Sequence, residues 1–412
     1  MHPNAAGMTP AAVAGRAPVI AVLAVFAGIC GVLTLVVAIG ATIAGPSMPY
    51  LDGPAWLDGW FQGDSVWYLH IAENGYSYHP GEQSSIAFFP SYPMAVRALG
   101  SLLGGQYQVA GSLLGMVCGA AAVSLFMVWA WRRLPRRSAL TAIAVMMLYP
   151  YSFFLYGALY SDSLFLLAAL GGFMLLERRL YWWAGLAGIV ATAGRPVGLA
   201  VAVGLTIRML EMLAERRIEA RGDQPADGSV PRPGWRDMLA AVRDVRWPQA
   251  GVLISILGLL GWCGYLWVQF GDPLAWLAVQ EAPGWSQGSG PKTWFKIGYL
   301  DTLRNGPFSV AFRLTAQALM CLIAILLMRR VFRLFGWGYL AYAAVVLAIP
   351  LIGTKDFMGT GRYVLAAFPV IAAAGHLLAN LPNRWARPVV LALLGAGLIA
   401  ATATFSMSVA VS

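Results

Sequence analysis

Apolar residues run along this chain in long unbroken stretches, separated by shorter polar connections rich in arginine. The stretches do not alternate with period two, so they do not read as the strands of a barrel. A membrane-crossing helix needs about 20 apolar residues. On that rule the pattern predicts about eleven helices, near 19–44, 109–131, 138–151, 163–176, 181–193, 197–213, 250–270, 309–328, 335–352, 363–379 and 388–409. The third to sixth are short and closely spaced. The expected fold is all-α, a polytopic transmembrane helix bundle, because helices satisfy their backbone polar groups within the segment.

Composition supports lipid as the main solvent. Hydrophobic residues make up 59% of the 412 residues and charged residues 11%, against about 25% charged in a soluble domain. The first stretch, Val19–Ala44, is too long for a signal-peptide core and lacks a clear cleavage site, so it reads as a retained helix. Cys30, Cys118, Cys263 and Cys321 each lie inside an apolar segment and form no CxxC, which reads as core rather than metal site or disulfide framework.

The net charge of +10 does not point to nucleic acid, since no long basic tract is interleaved with exposed aromatics. Most of the 28 Lys and Arg residues fall in alternate connections: Arg16; Arg132, Arg133, Arg136 and Arg137; Arg178 and Arg179; the arginines of 208–247; Arg329, Arg330 and Arg333; Arg384 and Arg387. The positive-inside rule then puts residues 1–18 in the cytoplasm and makes this a multi-pass plasma-membrane protein. Residues 19–213 form an N-terminal transmembrane block and 248–412 a C-terminal one. Between them 214–247 is an inner linker, flexible over about 219–235, where Pro, Gly, Asp and Arg concentrate.

Two outer connections, 45–108 and 271–308, are too long to be mere links, and long loops are usually functional. The first carries Asp52, Asp58, Asp64, Glu73 and Glu82 against a single Arg97. If 56–73 is one helix, Trp60, Asp64, Trp67, Tyr68 and Ile71 share a face. An acid among aromatic rings suits a sugar, whose apolar faces stack while a hydroxyl proton is taken. An interfacial helix with an aromatic belt gives the same pattern. Asp162 is either an N-cap or a site acid. Arg195, in AGRPVG, opposes the charge bias and needs a partner. That partner is a lipid phosphate, which guanidinium binds in bidentate fashion, or Asp162; snorkelling is the third reading. Lys355 and Arg362 in TKDFMGTGRYVLAAFP offer a second phosphate site, or they neutralise Asp356 and nearby headgroups. Asp272 sits in a Gly-Asp-Pro turn. His70 and His79 lie in the first outer loop and His376 in an apolar helix. No HxxxH or HExxH spacing appears, so no histidine-built metal site is expected. The lack of a P-loop or dinucleotide fingerprint gives no sign of nucleotide-driven pumping.

Together these motifs resemble the PIG-V type mannosyltransferases, the GPI mannosyltransferase 2 family and its bacterial relatives, within the GT-C membrane glycosyltransferases. The resemblance rests on Gly63-Asp64-Ser65-Val66-Trp67-Tyr68, Ile71-Ala72, Gly75-Tyr76 and Ala87-Phe88-Phe89-Pro90-Ser91-Tyr92-Pro93. The stretches PYSFF…YSDS, GRPVG, FGDPLA and GRYVLAAFP follow in the same order. One position departs: Gly63 stands where the family usually has Trp, and Trp60 is expected to cover the sugar instead. The resemblance implies a GT-C bundle with its site on the extracytoplasmic face and a polyprenyl-phosphate sugar donor, most simply mannose. It implies Asp64 as the catalytic carboxylate; with that reaction in view, the residue pattern puts Arg195, Arg362 and Lys355 at the donor phosphate, and Trp60, Trp67, Tyr68, His70, Tyr76, Asp162 and Asp272 around sugar and acceptor.

A lipid phosphate already leaves as a stable anion, so one general base suffices where a glycosidase needs two carboxylates. Asp64 would take the acceptor's proton and the anomeric carbon would invert. No cofactor is required by this scheme, and a divalent cation is not indicated. The acceptor class, whether glycolipid, lipoglycan or protein, is open. The competing function is a transporter or flippase of a lipid-linked sugar, which would more typically carry midplane charges and an internal repeat. A non-catalytic scaffold in a glycosylation complex is a third reading.

Overall fold

The computed structural model describes residues 15–44, 53–222, 232–288 and 290–408. Among them every regular element is helical. All eleven apolar segments fold as helix, but their lengths differ. Val19–Ile43, Tyr107–Trp131, Pro196–Arg221, Trp247–Phe270, Phe308–Phe335 and Ala386–Ser406 are long and apolar enough to cross a bilayer alone. Thr360–Ala366 and Phe368–Ala379, bent by 79° at Ala367, make a seventh span if taken together. The expected count of about eleven is therefore not reached by length. Arg136–Leu148, Asp162–Glu177, Tyr181–Thr192 and Trp337–Gly353 have 13, 16, 12 and 17 residues. They rise roughly 18–26 Å, against a hydrocarbon core of about 30 Å.

The shortest breaks have local causes. Tyr149 precedes Pro150 and is extended (φ −58°, ψ 136°), as the pyrrolidine ring demands of its neighbour. The helix ends there, and Pro150–Leu155 continues as a fully buried 3-10 turn.

One apolar core links residues from Val22 to Phe405. Helix Leu199–Arg221 lies along Trp337–Gly353, and Arg136–Leu148 along Phe368–Ala379, so the blocks on either side of 214–247 share that core. Helix Leu199–Arg221 continues past residue 213, where its apolar pattern stops. Helix Trp235–Ala241 folds back on it, burying Ala241 beside Leu213 and Ala214. Residues 223–231 of the expected flexible stretch lie outside the described residues. The four cysteines are free thiols.

The two ends of the bundle differ in chemistry. At one end Glu177 pairs with Arg133 and accepts the Tyr339 hydroxyl at 2.7 Å. Arg208 reaches Glu211 at 3.0 Å and Glu215 at 2.8 Å. The Glu211 carboxylate in turn accepts the N–H groups of Trp337 (2.8 Å) and Gly338 (3.2 Å), capping helix Trp337–Gly353 where its dipole favours negative charge. The other end of the same helices carries the described residues of the two long connections, 53–108 and 271–308 apart from 289. These are folded rather than loose, with helices Ser65–Asn74 and Ser91–Leu102 in the first and Ile297–Asn305 in the second. They meet where the Gln83 amide donates to the Pro283 carbonyl at 3.2 Å and Trp67 packs on Trp285.

Candidate active site

The site starts at a tight turn. Ala55–Trp60 is a 3-10 turn that ends before Phe61, and helix Ser65–Asn74 begins only after Asp64. Gly63 between them has φ +60°, a conformation that costs a side-chain-bearing residue strain. A Cβ on Gly63 would also stand 2.6 Å from the Tyr160 hydroxyl oxygen. That hydroxyl organises the turn: it accepts the Asp64 N–H at 2.8 Å and donates to the Gln62 carbonyl at 3.1 Å. The Gln62 side chain is held from behind by the Ser408 hydroxyl at 2.8 Å.

Asp64 occupies the N-cap position but makes no side-chain cap bond. An Asp at that position usually satisfies an N–H two or three residues on. Here the carboxylate faces a buried chain of charges instead. Asp64 lies 3.7 Å from one guanidinium nitrogen of Arg362, and a second nitrogen lies 3.7 Å from Asp162. Asp162 is bonded directly to Arg195. The order is acid, base, acid, base, so the four formal charges cancel, as burial of charge requires. The side chains are 35%, 11%, 4% and 7% exposed, from Asp64 to Arg195. Asp64, half-buried, is the most open of the four.

Aromatic rings wall the arginines. Arg362 lies over Tyr160 (5.1 Å) and Phe154 (5.2 Å), and Arg195 over Tyr363 (5.0 Å). The 3.7 Å separations are longer than hydrogen bonds, and Asp162 Oδ2 and Arg362 Nε have no hydrogen-bond partner among the described residues. Burial raises the Asp64 carboxyl above its ordinary value; Arg362 pulls it back down, while Asp162 pushes it further up. The arrangement can take a proton at Asp64 and offer positive charge at Arg362 beside it.

Sequence reasoning and structure part at several residues. Trp60 is fully buried, so it cannot cover a sugar. The single helix expected over 56–73 is interrupted at 61–64, which removes Trp60 from the face that holds Asp64. Trp67 does lie one turn beyond Asp64, half-buried, stacked on Phe88 at 5.8 Å and 5.7 Å from Trp285. Tyr68 is buried and its hydroxyl meets that of Ser161 at 2.9 Å. His70 is exposed beside Asn74. Tyr76 donates to the Phe88 carbonyl at 3.0 Å and packs on Trp262. The Asp272 carboxylate is engaged locally with the Leu274 N–H at 2.8 Å. Lys355 donates to the Trp285 carbonyl at 2.9 Å, so it braces the aromatic wall. Asp162 joins the charge chain. Tyr160, Ser161 and Tyr363 were not singled out as site residues; the one signal for the first two is their position directly before Asp162. Among the described residues no three His, Cys, Asp or Glu gather as metal ligands, and Arg362 stands between the two acids of the site.

Fold and site define a polytopic membrane protein with a charged, aromatic-walled site at one end of its bundle. The family described as mannosyltransferase (PIG-V) matches residues 53–217, the segment that holds Asp64, Asp162 and Arg195. The match covers part of the chain, and it includes the 63–93 signature that resembles the same family. No curated protein matches the chain by sequence. Among solved structures, the Archaeoglobus fulgidus oligosaccharyltransferase in its apo form is similar at TM-score 0.47 and 12% identity, over 96% of this chain and 56% of that one. ArnT from Cupriavidus metallidurans bound to undecaprenyl phosphate gives 0.46 and 14%, over 94% and 74%. The Archaeoglobus fulgidus AglB in complex with an inhibitory peptide and a dolichol-phosphate gives 0.44 and 12%, over 95% and 56%. The chain thus spans little more than half the length of the oligosaccharyltransferase.

Proposed function

We propose that this protein transfers a hexose, mannose, from a polyprenyl-phosphate donor to an acceptor hydroxyl on the extracytoplasmic face of the plasma membrane. The observation that carries the reading is the exposure gradient along the charge chain. Its open end is a carboxylate with raised proton affinity, and its next member is a guanidinium with bonding capacity left over. Asp64 accepts the acceptor's hydroxyl proton as that oxygen bonds to the anomeric carbon. The bond from that carbon to the phosphate oxygen breaks on the opposite side, its electron pair stays with the phosphate, and the configuration inverts. Arg362 faces the leaving oxygen, where a preorganised positive charge stabilises the transition state most. Arg195 holds Asp162 and lies one carboxylate further from the reacting atoms. Trp67 and the wall of Phe88 and Trp285 offer ring faces to a pyranose. Neither a cofactor nor a divalent cation takes part in this scheme.

The end of the bundle opposite the site carries most of the arginines, which supports a cytoplasmic N-terminus and an outer site. The deciding experiment supplies labelled polyprenyl-phosphate mannose to membranes holding the wild type or Asp64→Asn. Label in an acceptor product with the wild type alone supports the reading. Equal labelling by both removes Asp64 as base, and donor carried across the membrane without product supports a transporter.

A further inference from the structure

The end of the bundle away from the site has a hollow of about 400 Å³ that the transfer reaction does not use. Its walls come from helix Phe308–Phe335 and from Leu377 on helix Phe368–Ala379. Ile323, Leu326, Arg330 and Arg333 follow one another at steps of three or four along the first helix, so they form one stripe. Its lower part is apolar and its upper part is cationic, with Arg329 beside it. Arg329 and Arg333 are exposed and Arg330 is half-buried. Among the described residues no carboxylate lines the hollow.

We infer that this hollow holds an anionic phospholipid of the leaflet opposite the active site. From Ile323 to Arg330 the helix rises roughly 10 Å, which sets an apolar chain on Ile323, Leu326 and Leu377 when a headgroup phosphate lies among the three guanidiniums. Guanidinium matches phosphate oxygens in a bidentate fork. A zwitterionic lipid would bring an ammonium group beside three arginines of one helix, with no acid among the described lining residues to receive it, so the site discriminates by charge. Arginines in the last turns of a membrane helix commonly snorkel to the headgroup layer. What sets these three apart is their convergence on one apolar hollow between two helices.

Native mass spectrometry of the full chain in detergent tests this, with dioleoyl-phosphatidylglycerol and dioleoyl-phosphatidylcholine as probes of equal chain length. Each basic residue near an anionic headgroup contributes about a fivefold preference, so three give roughly a hundredfold. The wild type should prefer phosphatidylglycerol by about that factor, and Arg329→Gln/Arg330→Gln/Arg333→Gln should fall to within a few-fold of parity. Leu377→Trp, which leaves every arginine in place, should weaken retention of both lipids by filling the chain slot. Equal retention of the two lipids by the wild type overturns the inference. So does a preference that survives the triple substitution, or phosphatidylglycerol binding untouched by Leu377→Trp. The lipid-free unfolding temperature of each variant separates loss of binding from loss of fold.

Discussion

The Tyr160 hydroxyl fills the place where a side chain on Gly63 would be: a Cβ there would meet its oxygen at 2.6 Å and its ring carbon only at 4.0 Å. The two residues are nearly a hundred positions apart, yet they fix the turn that aims Asp64. Gly63→Ala should therefore lose turnover by tenfold or more, from clash and from strain at φ +60°. Tyr160→Phe removes the acceptor of the Asp64 N–H, a bond that contributes about 0.5–1.5 kcal/mol. The double variant should lose less than the two single effects combined, because Phe removes the clashing oxygen. Turnover of the four proteins forms the cycle, and strict additivity would count against the arrangement.

Asp64→Asn should insert and fold but lose about 10²–10⁴ in rate, the usual contribution of a general base. Asp64→Glu should also fail largely, since one methylene displaces the oxygen from attack geometry. Asp58→Asn is the control: Asp58 accepts the Gln108 amide at 3.1 Å and should stay active. More than about a tenth of wild-type turnover in folded Asp64→Asn is too small a loss for a base.

As the proposed base, the same carboxylate should set the pH response. It must be ionised to accept a proton, so the rate should fall as pH drops through its raised value, above the ordinary carboxylate range near 3.8. Arg362 draws that value down, so Arg362→Gln should move the acid limb to higher pH as well as weaken donor binding by about ten- to a hundredfold. An acid limb that stays in place or moves to lower pH in Arg362→Gln would separate Arg362 from the base.

Arg195 should behave differently. Its side chain is 7% exposed and bonded to Asp162. Arg195→Gln leaves a buried carboxylate short of a partner, a defect that typically costs about 3–5 kcal/mol. Adding Asp162→Asn should restore much of the unfolding temperature. If Arg195→Gln unfolds at the wild-type temperature and loses only donor affinity, the arginine contacts the phosphate itself.

Topology can be read by cysteine labelling in a cysteine-free background. Ser84 is buried and bonded to its own loop, so Glu82 and Lys292 are better outer positions and Arg243 an inner one; all three are exposed. An impermeant reagent applied to intact cells should modify Glu82→Cys and Lys292→Cys and spare Arg243→Cys. The reverse pattern would invert the orientation.

The helices were legible because lipid leaves the backbone only helix or closed barrel, and unbroken apolar runs without period-two alternation exclude the barrel. The sequence pointed to Asp64 because several motif residues cluster around it, and the structure sets that carboxylate beside Arg362. The sequence misplaced Trp60 because a 3.6-residue period was carried through Gly63, a residue whose positive φ breaks the period. The need of Arg195 for a partner was legible from its apolar setting, and Asp162 was among the partners weighed. The pairing of Arg362 with Asp64 was not legible, since nothing in one sequence ties a helix near residue 360 to a turn near residue 64. Helix lengths failed for a related reason: short apolar segments buried among others need not span the bilayer alone.

The charge chain also has a timetable. Asp64 is made nearly 300 residues before Arg362, a gap of roughly 15–60 s at ordinary rates of synthesis. The helix that brings Ser408 to Gln62 comes later still. During that interval the carboxylate has its turn, Tyr160 and the Asp162–Arg195 pair, but not the Arg362 guanidinium that faces it. Under the proposed transfer reaction, a nascent chain would leave its donor lipids unspent until Arg362 reaches Asp64.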